Sequence, residues 1–343
     1  MAETIRFGIV GCGLISKFHA RAIAAVPGAA LAGAWDVRPE AAQAFAGEFG
    51  GSAFDTFERM LESDAVDAVS ICTPSGLHGR QAVQALGAGK HVLVEKPMAL
   101  SLAEADEAIE LADRMGVKLS VVSQLRFSEG IAAAKRAIDE NALGRLVCGD
   151  IFMKYHRTPE YYRGGLWRGT KAMDGGGALM NQGIHGVDLL LYLCGPVKRV
   201  YALSRTLVHP IEVEDTLSAV LEYESGALGL LQATTSVKPG FPRRMELCGD
   251  RGSLVIEEDR ILSASLEDGR ALKLGESKAY SADPGAIDCA GHARQIEDFV
   301  RAIATGGRPL VDGREGRRAL ELILSAYRSS ELGRPVTIGE ESV

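Results

Sequence analysis

Two stretches of the chain carry residues able to move protons and hold a developing negative charge. Lys96 sits in Glu95-Lys96-Pro97, directly after the apolar run His91 to Val94. The proline keeps Lys96 out of the helical region, so its ammonium is free to project beyond a strand end and stabilise an oxyanion. Further on, Asn181, His185 and Asp188 are spaced i, i+4 and i+7 within Ala178 to Leu193, a segment otherwise rich in Leu, Ile, Met and Val that follows Gly175-Gly176-Gly177. That spacing predicts one polar stripe on a buried helix. A histidine with an unperturbed pKa near ~6.5 suits general-base work around neutrality, and the roles of His185 and Lys96 could be exchanged. Asn181 would position a substrate, and Asp188 would fix the imidazole tautomer. No metal is expected, because Asn181 is a poor ligand and no second histidine or carboxylate cluster is evident.

Upstream, Tyr155, His156, Arg157, Tyr161, Tyr162, Trp167 and Arg168 gather aromatic and cationic groups in a chain with only 6% aromatics. The mixture suits stacking on a carbohydrate ring and bonding to its hydroxyls, and equally suits an interface rim. Arg157 and Arg163 leave room for a substrate carboxylate. His292, at the start of a late helix, is not assigned to the site.

Gly11-Cys12-Gly13-Leu14-Ile15-Ser16 follows the strand Phe7 to Val10 and precedes the helix His19 to Val26. The first glycine permits a tight turn, and the second lets backbone N–H groups approach a pyrophosphate at the positive end of the helix. Asp36 lies twenty residues past Ser16. Its carboxylate would take the ribose hydroxyls and repel a 2′-phosphate, which favours NAD over NADP. Arg38, two residues on, keeps NADP possible.

These residues need elements to place them. Short apolar runs at Ile5 to Val10, Ala30 to Trp35, Ala68 to Cys72, His91 to Val94 and Lys118 to Val122 read as buried strands. Helix-spaced segments at His19 to Val26, Pro39 to Phe49, His78 to Ala88 and Leu102 to Arg114 separate them. Strand then helix, repeated, predicts a doubly wound parallel sheet, with Thr73-Pro74 and Glu95-Lys96-Pro97 on its ligand-binding edge. After about Arg126 longer strands with short turns predict a mostly antiparallel open sheet in an α+β domain, closed by helices His292 to Ala304 and Glu315 to Leu332. The expected domains are residues 1–126 and 127–343.

The chain has 343 residues, about two domains' worth at ~150 each. Its 38 basic against 45 acidic residues leave a net charge of −7, which disfavours nucleic acid as a partner. The six cysteines are all more than forty residues apart, so no paired thiol motif exists. With no apolar stretch of about 18 residues and no export-type leader, the expectation is a cytoplasmic protein with no membrane partner.

Taken together, the motifs resemble the Gfo/Idh/MocA oxidoreductase family. The resemblance rests on Gly11 to Ser16, Thr73-Pro74 with His78, Glu95-Lys96-Pro97, Gln124 with Arg126-Phe127, Trp167-Arg168, Gly175 to His185 and Asp312-Gly313-Arg314-Glu315-Gly316. It implies an N-terminal Rossmann domain, an α/β domain whose open sheet builds dimers or tetramers, and a nicotinamide bound between them. It places the catalytic lysine at Lys96 and the catalytic histidine at His185, with Asn181 beside it. Cofactor contacts are implied at Gly11, Gly13, Leu14, Ile15, Asp36, Arg38, Thr73, Pro74, His78, Glu95, Lys96, Gln124, Trp167 and Arg168. Substrate contacts are implied at Lys96, Arg126, Tyr155, Arg157, Asn181 and His185.

One departure matters: many inositol-dehydrogenase-like members carry aspartate where this chain has Asn181, so a charged Asp-His couple is absent. The expected activity is NAD(P)-dependent oxidation or reduction of a secondary hydroxyl on a sugar or sugar derivative. The competing readings are an inositol or polyol dehydrogenase, a non-catalytic sugar-responsive regulator, and an NAD-dependent glycoside hydrolase.

Overall fold

In the computed structural model of the chain, residues 4–165, 167–276 and 289–339 are described. Two units form, Met1–Gln124 with Gly285–Arg317, and Leu125–Pro284 with Arg318–Val343.

In the first unit, buried apolar runs alternate with helices as β1 (Ile5–Val10), α1 (Leu14–Ala25), β2 (Ala29–Trp35), α2 (Pro39–Phe49), β3 (Ser52–Ala53), α3 (Phe57–Glu62), β4 (Ala68–Ile71), α4 (His78–Gly87), β5 (His91–Val94), α5 (Leu102–Met115) and β6 (Leu119–Val121). The strands make a six-stranded parallel sheet in the order β3-β2-β1-β4-β5-β6. β3 and α3 escape the sequence reading because a two-residue, exposed edge strand carries no hydrophobic period.

The second unit runs α6 (Glu129–Asp139), β7 (Leu146–Lys154), α7 (Pro159–Arg163), a π-helical turn at Ala178–Gly183, α8 (Ile184–Cys194), β8 (Val197–Arg205), β9 (Thr216–Tyr223), β10 (Leu228–Thr234), β11 (Arg244–Gly249), β12 (Gly252–Glu257) and β13 (Arg260–Leu266). With β14 (Val336–Thr337), these strands build an eight-stranded sheet ordered β13-β12-β11-β7-β10-β9-β8-β14. Every pair is antiparallel except β7 with β10. Gly226, at φ 86°, turns β9 into β10 through Glu224-Ser225-Gly226. α8 lies so close to β7 that a Cβ on Gly186 would sit 2.3 Å from the Met153 sulfur.

The chain's late helices are α9 (Ala290–Thr305) and α10 (Gly313–Leu332). The Asp312 carboxylate accepts the Glu315 N–H at 3.1 Å and so caps the start of α10.

Two expectations are corrected. The C-terminal part is not one continuous domain from residue 127, because α9 buries Ile296 and Phe299 in the first unit's core with Phe7, Ile9 and Ile23. An amphipathic helix shows that it covers a sheet, not which sheet. Nor do Asn181, His185 and Asp188 lie on a single α-helix. The π turn inserts an extra residue per turn before α8 begins, so Asn181 and His185 occupy different helical geometries.

Candidate active site

The Gly11 turn has φ 89°, and a Cβ there would lie 2.9 Å from Thr73, so glycine is required on both steric counts. Next to it Gly13 is the N-cap of α1, with no side-chain cap and nothing within 4 Å of a Cβ placed on it. The space beside Gly13 at the start of α1 is therefore open. Leu14 is 56% exposed there, and Ile15 and Ser16 follow in the first turn, Ser16 fully buried with its hydroxyl donated to the Gly13 carbonyl at 2.6 Å. At the end of β2 the Asp36 carboxylate accepts the Cys12 N–H at 2.8 Å and the Arg38 N–H at 3.0 Å, tying the second strand to the glycine turn.

The β4 and β5 ends are joined by His78. Its Nδ1 faces the Pro97 carbonyl at 2.7 Å and its Nε2 the Thr73 carbonyl at 2.7 Å. Burial pulls this imidazole's pKa down, against the pull of the two carbonyls. His78 thus clasps the two loops from within and lies 1% exposed. Thr73 also donates its hydroxyl to Gln81 at 2.6 Å. The Lys96-Pro97 peptide is cis. Lys96 is half-buried, and its backbone N–H is donated to Glu95 at 3.1 Å. Burial alone would raise the Glu95 carboxyl, but the His19 hydrogen bond and the charges of His19 and Lys96 hold it well below the usual carboxylate range. Gln124, just past β6, has a buried Oε1 with no partner.

In the second unit Asn181 is the centre of a polar network that the sequence reading did not contain. Its amide donates to Asp174, whose other oxygen accepts the Gly169 N–H at 2.8 Å. Its carbonyl accepts from Gln182 at 2.8 Å, and Gln182 also donates to the Tyr161 hydroxyl at 2.8 Å and accepts from Arg157 at 2.6 Å. The negative charge that Asn181 lacks is therefore supplied seven residues upstream, by Asp174. Its one signal in the sequence was its place immediately before the triple glycine. Glu214, likewise unassigned, accepts the Gly177 and Leu179 N–H groups at 2.9 and 2.8 Å and the Tyr327 hydroxyl at 2.7 Å, which fixes the entry to the π turn.

The Arg157 guanidinium lies 5.5 Å from the Tyr161 ring centroid and 5.9 Å from that of Tyr155. Arg168 lies 4.4 Å from the Tyr161 ring and 5.6 Å from Trp167, with a buried Nε that has no partner. Arg163 instead pairs with Glu160 at the surface. His185 is half-buried in the first turn of α8. Asp188, expected to orient it, forms two hydrogen bonds of 2.8 and 2.6 Å with Arg126. Arg126 is 3% exposed and also stacks on Tyr192 at 4.5 Å. Its guanidinium is held in the interior by that pair, so its bearing on a substrate runs through α8.

The first unit has the strand order, the bare helix N-terminus, the acidic residue ending β2 and the unpartnered Gln124 oxygen that a dinucleotide would satisfy. Its residues fit NAD, and the class is that of a dinucleotide-dependent oxidoreductase. Residues 5–123 match the oxidoreductase family model with NAD-binding Rossmann fold, and residues 131–255 match the GFO/IDH/MocA C-terminal domain. The chain belongs to the Gfo/Idh/MocA oxidoreductase family. It is similar to the WlbA dehydrogenase from Bordetella pertussis, solved in complex with NADH and UDP-GlcNAcA, at 34% identity over 98% of each chain with a TM-score of 0.88. It is 27% identical to inositol 2-dehydrogenase of Rhizobium meliloti, over 98% of this chain and 99% of that protein. It is also 27% identical to myo-inositol 2-dehydrogenase of Thermotoga maritima, with the same coverage of 98% and 99%. The protein is an oxidoreductase of that family with an NAD-binding Rossmann domain.

Proposed function

We propose that the substrate is a pyranose-type sugar derivative bearing an anionic group, oxidised reversibly at a ring hydroxyl, with His185 as the proton acceptor and Lys96 as the group that stabilises the alkoxide. Bound NAD supplies the acceptor carbon for the hydride. His185 takes the hydroxyl proton. Lys96 donates a hydrogen bond to the same oxygen as its charge develops. Asn181, oriented by Asp174, hydrogen-bonds a neighbouring hydroxyl. The anionic group is supported by Arg157 and Arg168 flanking Tyr161, and by the acidic nucleotide sugar held by the WlbA dehydrogenase.

The observation that carries the reading is Lys96 at the carboxyl end of β5, the edge where such sheets place their ligands, with its N–H fixed by ionised Glu95. The test supplies NAD or NADP with neutral sugars, uronic acids free and nucleotide-linked, and inositols, following reduced nicotinamide and released sugar together. Reduction is expected with NAD and an acidic sugar, without sugar release. Reduction with inositols alone would favour the polyol reading. Sugar release without net reduction would favour the hydrolase, and no turnover at all the regulator.

Two substitutions probe single residues. Asp36→Ala should weaken NAD binding about tenfold or more, the loss of a charged hydrogen-bond acceptor, and weaken NADP less, as read by titrating nucleotide fluorescence. Equal loss for both would place Asp36 in holding the glycine turn alone. His185→Asn should lower kcat about 100-fold or more and remove the acid limb of the kcat/KM profile. A profile of unchanged shape would take the base role away from His185.

A homodimer or homotetramer is supported by the outer face of the second sheet, where Tyr201, Val220, Leu228 and Leu230 are all between 39% and 56% exposed on adjoining strands. Six free cysteines support a cytoplasmic location. No helix among the described residues is long and apolar enough to cross a membrane.

A further inference from the structure

Behind the Lys96 peptide lies a group of side chains of which the proposed function uses only Glu95. His19 on α1, Glu95 at the end of β5 and His292 on α9 are 0%, 6% and 2% exposed, and a donor atom from each lies within 4.8 Å of the other two. Two of the three are already oriented from outside. His19 has its Nδ1 against the Ser70 hydroxyl at 2.7 Å, which leaves Nε2 pointing at Glu95 Oε1, 3.0 Å away. Glu95 Oε2 accepts the Lys96 N–H, which leaves Oε1 turned inward. His292 is different. Both of its ring nitrogens are buried and neither has a partner, although a buried polar atom without one costs about 1–3 kcal/mol. Its ring meets that of His19 edge-on at 5.3 Å.

From this geometry we infer a structural transition-metal site in the first unit, in which His19 Nε2, Glu95 Oε1 and one nitrogen of His292 bind a divalent ion of the zinc class. Two imidazoles and one carboxylate are a donor set that zinc takes readily. A tetrahedral ion with bonds of about 2.0–2.1 Å sets its donors roughly 3.4 Å apart, so His19 Nε2 and Glu95 Oε1, 3.0 Å apart, would part by a few tenths of an ångström while the His292 nitrogen closes in from within 4.8 Å. The outer contacts to Ser70 and the Lys96 N–H are those that fix ligand orientation in such sites. The ion would satisfy one orphan nitrogen of His292. It would also pin α9 to α1 and to the strand end that carries Lys96.

The whole protein, stripped with a chelator and checked for folding by circular dichroism, is dialysed against Zn²⁺ and its metal content measured by plasma emission. One ion per chain is expected in the wild type and none in His292→Ala. Co²⁺ in place of Zn²⁺ should give tetrahedral visible bands in the wild type that the variant lacks. A folded wild type that takes up neither ion overturns the site, as does equal uptake by His292→Ala. If that variant does not fold, the wild-type Co²⁺ spectrum decides: tetrahedral bands with one ion per chain support the site, and their absence overturns it.

Discussion

Lys96→Met is expected to lower kcat about 1,000-fold or more while NAD binds nearly as it does to the wild type. The effect follows from what the ammonium supplies. An alkoxide forming on the substrate oxygen needs a donor already in place, and loss of one such donor costs about 10²–10³, with loss of proton-transfer help of similar size on top. Methionine keeps the length and apolar stem of the side chain, so the half-buried setting after β5 and the Glu95 contact to the backbone N–H are undisturbed. Lys96→Arg should not rescue, since a planar guanidinium cannot take the place of a compact ammonium. Steady-state kinetics with NAD titrated in parallel measures both quantities. Turnover within tenfold of wild type would remove Lys96 from the chemistry, and loss of NAD binding in step with turnover would reassign it to the cofactor.

The second large effect is on stability. Arg126 and Asp188 are 2% and 4% exposed in their side chains and joined by two hydrogen bonds. Asp188→Ala leaves a guanidinium in the interior without that carboxylate, which costs about 3–5 kcal/mol. For a protein of this size that lowers Tm by on the order of 10 °C. The double variant Arg126→Met with Asp188→Leu should recover most of the loss, because an apolar pair of similar volume removes both desolvation penalties. Differential scanning calorimetry on the three proteins decides. A single-variant shift near zero would mean that the pair contributes little to folding. A large drop in kcat for the refolded double variant would show that the pair also holds α8, and His185 with it, in register.

Asn181 explains why a residue's neighbours in space cannot be read from its neighbours in the chain. Its type signalled a missing charge, and that was legible. The Asp174 carboxylate that supplies the charge lies across the triple glycine and reaches Asn181 only because a π turn follows. Glu214 is likewise brought to the Gly177 and Leu179 N–H groups by the loop that leads into β9, thirty-five or more residues away in sequence. Helix periodicity reports which face is buried, and says nothing of what that face is buried against.

Local patterns fixed the first unit almost entirely. Its parallel sheet, the Gly11 turn, Asp36 at the end of β2 and Lys96 past β5 all follow from runs of apolar residues and from backbone limits that glycine and proline impose over a few residues. The conformation of a short segment is set by its own atoms, so composition and spacing suffice. Tertiary structure alone decided that α9 returns to the first core, that Arg126 is bound to Asp188, and that His19, Glu95 and His292 converge. Those contacts join residues 62 to 292 positions apart. Only the folding of intervening chain brings such groups together, and no local preference encodes it.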